Sequence, residues 1–176
     1  MTNLKIIGLL NLNELFIFKD SVANFENAVN SAYKLSEDGA NGIIVFGKSF
    51  FERNKICSYL KPRLDIPVSP LVNSENQLKL IENDNFLFSV KHFGIKKIIR
   101  LLEPKSKSML LKSNNEFSGI LLTNKRALKI FKMEADYLDE VIAVLACRAT
   151  YFGLKYFATE NVLSARKGAE LCKKLF

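Results

Sequence analysis

Lys5-Ile6-Ile7-Gly8-Leu9-Leu10-Asn11-Leu12 and, further along, Gly42-Ile43-Ile44-Val45-Phe46-Gly47 are short runs that are apolar at almost every position. A strand with one wet face alternates apolar and polar residues; these do not, so both faces are expected to be covered, as in a parallel sheet flanked by helices. What lies between the runs fits that reading. Asp20 or Ser21 offers an N-cap, and Val22, Phe25, Val29, Ala32 and Ser36 recur at helical spacing before Gly39, predicting a helix over 22–38. Phe50 to Leu60 reads as a second helix and Asp65 to Val72 as a third strand opened by Pro67. Asn73 or Ser74 then caps a helix reaching about Asn83, and Phe86 to Val90 is a fourth strand. Strand and helix alternate with short connections, which implies parallel strands and right-handed crossovers, hence a doubly wound sheet or a (β/α) barrel.

The same alternation returns at the end of the chain. His92 to Leu102 reads as a basic helix stopped near Pro104, with short strands at Ser108 to Lys112 and Gly119 to Thr123. Leu138, Val141, Ile142, Leu145, Ala149 and Phe152 form one helix face closed by Gly153, followed by a last strand over Lys155 to Ala158. Val162, Ala165, Ala169, Cys172 and Leu175 make the inward stripe of a final helix that Asn161 caps. The 176 residues, 48% hydrophobic, suffice for one sizeable core, so residues 1–176 are expected to form a single domain.

Charge is concentrated. Lys91 to Lys132 carries eleven Lys plus Arg against Glu103 and Glu116, or +9, which leaves −1 for the rest of the chain's +8. Such a stretch attracts phosphates or acidic partners, although charge runs more often only solvate a face. Cys57, Cys147 and Cys172 lack the paired spacing of a zinc site or disulfide scaffold and read as small buried residues in a reducing cytoplasm. The apolar start is broken by Asn11, Asn13 and Glu14, so neither a signal peptide nor a membrane span is expected.

Four segments, in order, resemble dihydropteroate synthases. Ile6-Ile7-Gly8-Leu9-Leu10-Asn11 is similar to that family's first strand, and Asp38 to Ser49 to its Gly-Ala-Asp segment and the Gly-Gly-Glu-Ser-Thr-Arg loop after it. Ile120-Leu121-Leu122-Thr123-Asn124-Lys125-Arg126 is similar to the strand leading into the Ser-Arg-Lys turn, and Gly153 to Val162 to the last strand with its Arg-Val-His. The resemblance implies a parallel, TIM-barrel-like α/β domain. Because a (β/α)₈ barrel takes about 250 residues, the barrel is expected to be incomplete, with at least one β/α unit missing between residues 91 and 119. It also implies Asn11 as a ligand of Mg²⁺, and Ser49, Thr123, Lys125 and Arg126 as substrate- or anion-binding residues.

The departures shape the functional expectation. Where the family pairs its pterin ring with an Asp and an Asn-Asp pair, this chain has Leu71 or Val72 and Phe88-Ser89; where the family binds anions with Arg and His, it has Ala158 and Glu160. Unmatched buried ring groups cost about 1–3 kcal/mol each. The expected function is a folate-biosynthesis relative with lost or weakened catalysis: a pseudoenzyme acting as partner, scaffold or regulator, with a phosphate or pyrophosphate site. An active transferase joining dihydropterin pyrophosphate to p-aminobenzoate is one alternative, and a basic nucleic-acid-binding protein another. Expected partners are a pterin or phosphate-containing small molecule and a protein partner or homodimer; a membrane is not expected, and nucleic acid is disfavoured because no binding module is recognisable. His92, the sole histidine, has no carboxylate or nucleophile set beside it by any motif and reads as an ordinary side chain.

Overall fold

Gly8 sits where the first strand meets its covering helix. In the computed structural model, which describes residues 3–16, 21–71 and 119–176, a Cβ added to Gly8 would lie 3.1 Å from Leu35 Cβ. Glycine thus lets α2 (Ser21–Glu37) settle closely on β1 (Lys5–Asn11). The helix falls where the periodicity predicts it, yet its inward row matches the predicted one only at Ala32. Asn24, Ala28, Ala32 and Leu35 are buried, whereas Val22 is 62% exposed. Small alanines at the contact allow close approach, and the bulky Phe25 packs instead at the side, edge-on to Tyr59 at 5.0 Å.

The chain divides into two compact units, residues 8–90 and residues 1–7 with 91–176, and β1 contributes to both. In the first, β1 pairs in parallel with β2 (Ile43–Phe46), from Gly8 opposite Ile43 to Asn11 opposite Phe46. β2 pairs in parallel with β3 (Val68–Pro70). α1 (Leu12–Leu15) is a single turn after β1, and α3 (Phe50–Leu60) follows β2. The third strand is shorter than the predicted 65–72. Pro67 has no N–H to give, so it offers the ladder only its carbonyl, which accepts from Ile43 N at 2.8 Å.

In the second unit, β4 (Gly119–Leu122) pairs in parallel with β5 (Tyr156–Thr159), and Lys5 N donates to Lys155 O at 2.9 Å. α4 (Asn124–Phe131) leads through a 3₁₀ turn at Ala135–Tyr137 to α5 (Leu138–Tyr151), and α6 (Val162–Leu175) follows β5. The sequence reading placed only a turn at α4. Val162, Ala165, Ala169 and Cys172 face inward as predicted, but Leu175 is 62% exposed. It lies in the last turn, where Phe176 rather than Leu175 meets Tyr151, at 5.1 Å.

In the 8–90 unit the strand order is β3-β2-β1, and in the other unit β4 lies beside β5; Ile7, Leu10, Ile43, Ile44, Ile120 and Phe157 are among the fully buried side chains. Each such side chain contributes about 1.5–3 kcal/mol through removal from water. The architecture is the parallel α/β class expected from the uninterrupted apolar runs. No helix among the described residues is long and apolar enough to cross a membrane. The predicted helix reaching Asn83, the strands at Phe86 to Val90 and Ser108 to Lys112, the helix from His92 and most of the basic stretch lie outside the described residues.

Candidate functional site

Ligands of parallel α/β folds gather where strands end and helices begin, and each unit has such an end. In the 8–90 unit, β1 ends on Asn11, which is 8% exposed and caps α1, its Oδ1 accepting from Asn13 N at 3.2 Å. Asn13 then reaches the loop after β2, where its Oδ1 accepts from Lys48 N at 2.9 Å. That loop holds two consecutive left-handed residues, Gly47 at φ 80° and Lys48 at φ 46°. A Cβ on Gly47 would lie 2.8 Å from Asn13 N, so a side chain there is excluded by both conformation and space.

Ser49, predicted to bind substrate, is occupied as the N-cap of α3. Its Oγ accepts from Glu52 N at 3.2 Å, while Ser49 N and Oγ donate to Glu52 Oε2 at 2.9 and 2.7 Å. These are the reciprocal bonds of a capping box. Hydrogen bonds from the Ser49 side chain and then its backbone hold the Glu52 carboxyl below its ordinary range. A carboxylate with a depressed folded pKa contributes stability above its unfolded pKa and loses it as pH falls through the folded one. Ser49→Ala is therefore expected to cost about 0.5–2 kcal/mol at neutral pH. In urea titrations across pH the gap from wild type should narrow on acidification, leaving the pH-independent bond from Glu52 N to Ser49 Oγ; a constant gap would mean the Glu52 charge is not involved.

Arg53 is the residue of this end that sequence reasoning missed. It lies in one row with Ile56, Cys57 and Leu60 on the buried face of α3, and is 4% exposed. Its Nη1 makes only long bonds to Gly47 O and Lys48 O, at 3.4 and 3.5 Å, and its Nε is buried without a partner. Its guanidinium carbon lies 5.8 Å from the Phe50 ring centre. Burial lowers its pKa, though an arginine still keeps its proton. The signal was the helical spacing 53, 56, 57, 60, in which a cation occupies a core position.

In the other unit, Thr123, Lys125 and Arg126 come together at the start of α4. Thr123 is the N-cap, its Oγ1 accepting from Arg126 N at 3.3 Å, and Lys125 is exposed while Arg126 is half-buried. The first amide of the helix is already taken: Asn124 N donates to Glu160 Oε2 at 2.7 Å. Helix N-terminal amides are natural anion sites, and here the chain's own carboxylate fills one. Next to it Asn161 N donates to Thr159 Oγ1 at 3.2 Å and Asn161 Nδ2 to Asp139 Oδ1 at 2.6 Å. Ala158 is fully buried. In the 8–90 unit Leu71, which with Val72 is one of the two positions where the resemblance puts a ring-pairing Asp, is buried and bonded through its N to Val45 O at 2.8 Å. Among the described residues no cluster of three or more His, Cys, Asp or Glu side chains offers a metal site.

No protein-family model matches the chain, and neither does any curated protein sequence. Solved structures do. A dihydropteroate synthase from Coxiella burnetii in complex with pteroic acid superposes with a TM-score of 0.71 at 9% identity, over 99% of this chain and 94% of that one. That from Clostridium difficile, with pteroic acid present, gives 0.65 at 13% identity over 98% and 97%. The Xanthomonas albilineans enzyme with 4-aminobenzoic acid gives 0.71 at 11% identity over 98% and 93%. The chain therefore has the fold of dihydropteroate synthases, at sequence identities that show the fold alone.

Proposed function

We propose that the protein is a dihydropteroate-synthase-related protein of folate biosynthesis whose catalysis is lost or weakened, acting as a partner, scaffold or regulator. The observation that carries this reading is the Glu160 carboxylate on Asn124 N. At the position where the resemblance puts an anion-binding His, an acid satisfies the helix amide and sets a negative charge beside Lys125 and Arg126. A pyrophosphate approaching this turn meets repulsion and finds one donor fewer. Ser49, closed in its capping box, and the buried Leu71 support the same reading.

A residual phosphate or pyrophosphate site at this turn rests on the side chains of Lys125 and Arg126 and on Thr123. Asn11 alone does not make a resident Mg²⁺ site: it offers one neutral oxygen, already engaged by Asn13 N, and Mg²⁺ needs six oxygen ligands. A magnesium ion would have to arrive with phosphate oxygens and water completing its shell.

The expected result is no dihydropteroate formation by the purified chain, and weak or absent heat of binding with dihydropterin pyrophosphate. Glu160→Ala frees Asn124 N and removes a charge. Since a hydrogen bond to a charged group is worth about 1.5–3 kcal/mol, pyrophosphate affinity should rise about ten- to a hundredfold. Robust turnover by the wild type would refute the reading, and no gain on Glu160→Ala would remove the self-filled anion site.

A second reading, an anion site retained in the 8–90 unit, is favoured by one observation. The Arg53 guanidinium is buried at the end of β2 with an unpartnered Nε, and a bound carboxylate or phosphate would supply the acceptors it lacks. Such a ligand should raise the unfolding temperature of the wild type and leave that of Arg53→Met unchanged.

A further inference from the structure

Close approach of two helices places two cysteines side by side in the unit formed by residues 1–7 and 91–176. A Cβ on Gly168 of α6 would lie 1.9 Å from Ala143 O of α5, so at that level the two backbones nearly touch. α5 and α6 precede and follow β5 in a parallel sheet, and so run in the same direction. Four residues further on is one turn up the same face of each helix. Those residues are Cys147 and Cys172, both free thiols. Cys172 is buried and Cys147 partly exposed.

We propose that Cys147 and Cys172 form a redox-sensitive pair that closes to a disulfide between α5 and α6 when the protein meets a peroxide. The reaction balances without any other group. The sulfur of Cys147, the more exposed residue of the two, attacks a peroxide oxygen and breaks the O–O bond, giving a sulfenic acid and releasing water. The Cys172 sulfur then displaces the hydroxyl as a second water, so two thiols and one hydrogen peroxide become one disulfide and two waters. Burial, reinforced by the neighbouring Cys147, pushes the Cys172 thiol up. That makes Cys172 the less ready of the two to attack first, so the more exposed Cys147 meets the peroxide and Cys172 resolves the sulfenic acid, its proton leaving with the hydroxyl. The oxidised link would pin α6 to α5 one turn beyond their tightest contact.

This inference does not depend on the proposed function. The full chain, purified under reducing conditions, is treated with hydrogen peroxide and unfolded, and its free thiols are counted. The count should fall from three to one, with an intramolecular link between the peptides carrying Cys147 and Cys172, reversed by dithiothreitol. Cys147→Ser and Cys172→Ser should each abolish the link, while Cys57→Ser should leave it intact. The oxidised chain should unfold at a higher urea concentration than the reduced chain. Three thiols persisting, a sulfinic acid on Cys147 with Cys172 still free, or links only between molecules would each overturn the proposal. Loss of the link in Cys57→Ser would do the same.

Discussion

Gly168→Ala is expected to destabilise the protein by about 3 kcal/mol, at the upper end of what overpacking costs. A glycine inside a helix is ordinarily a weakness, and replacing it with alanine ordinarily gains about 0.5–1 kcal/mol. Here the sign is reversed by space. The new Cβ would stand 1.9 Å from the Ala143 carbonyl oxygen and 2.7 Å from its Cα, and both are backbone atoms that no rotamer change can move aside. α5 and α6 would have to separate, loosening Ile142, Ala146 and Ala149 on one helix and Ala165, Ala169 and Cys172 on the other, all buried. Urea unfolding should show the midpoint falling while the slope stays constant. Lys167→Ala, one residue earlier and exposed, should stay within about 0.5 kcal/mol of wild type. A Gly168→Ala midpoint at or above the wild-type value would mean that the helices are not in backbone contact.

That glycine also marks how far the sequence could be read. The class of fold was legible because Lys5 to Leu12 and Gly42 to Gly47 lack the alternation of a half-wet strand, and a doubly covered strand is what such a run forms. Helix positions followed from caps and glycine stops: Asn161 does cap α6, its Oδ1 accepting from Ser164 N at 3.2 Å. Which face turns inward was less legible. Periodicity placed Ala32 of α2 inward correctly but favoured the large Val22, Phe25 and Val29 beside it, whereas the structure buries Ala28, since closeness of approach depends on small residues that a hydrophobicity pattern scores low. α4 was missed because Asn124 to Phe131 is basic and amphipathic with only Ala127 buried, leaving little apolar signal.

The candidate site was legible in part, and the unread part is physical. Ser49, Thr123 and Asn11, singled out from the sequence as binding residues, lie at or just beyond strand ends and act there as helix caps. An N-cap and a substrate hydroxyl or amide look alike in a sequence because both call for a short polar side chain before a helix. Only partners tell them apart, and Glu52 lies three residues from Ser49 as a capping box requires. Glu160 was read as a lost histidine rather than as a new acceptor for Asn124 N, because the two residues are 36 positions apart. Arg53 escaped notice because a charged residue on a helix is assumed to face water.

The expected effect of Arg53→Met follows from that burial: the variant should be more stable than wild type by about 1–3 kcal/mol, within the range seen when buried charge gives way to well-packed apolar side chains. Desolvating a guanidinium costs several kcal/mol, and what offsets it here is thin. The two bonds to Gly47 O and Lys48 O are 3.4 and 3.5 Å long, Nε has no acceptor, and Phe50 offers a ring 5.8 Å away. Methionine fills much of the same volume beside Ile56 and Leu60 without a charge. The two carbonyls belong to a loop with Lys48 exposed and Gly47 half-buried, so water can take the place of the arginine. Thermal and urea unfolding, without and with added pyrophosphate, would separate two roles for this side chain. A gain in stability together with loss of the pyrophosphate-dependent rise in unfolding temperature would mark Arg53 as a cation held at a cost for a ligand. A gain with no such rise in either protein would leave it a tolerated core residue. A loss of stability above about 1 kcal/mol would show that Arg53 is a structural tie fixing the strained Gly47-Lys48 turn, and would refute both of the other readings.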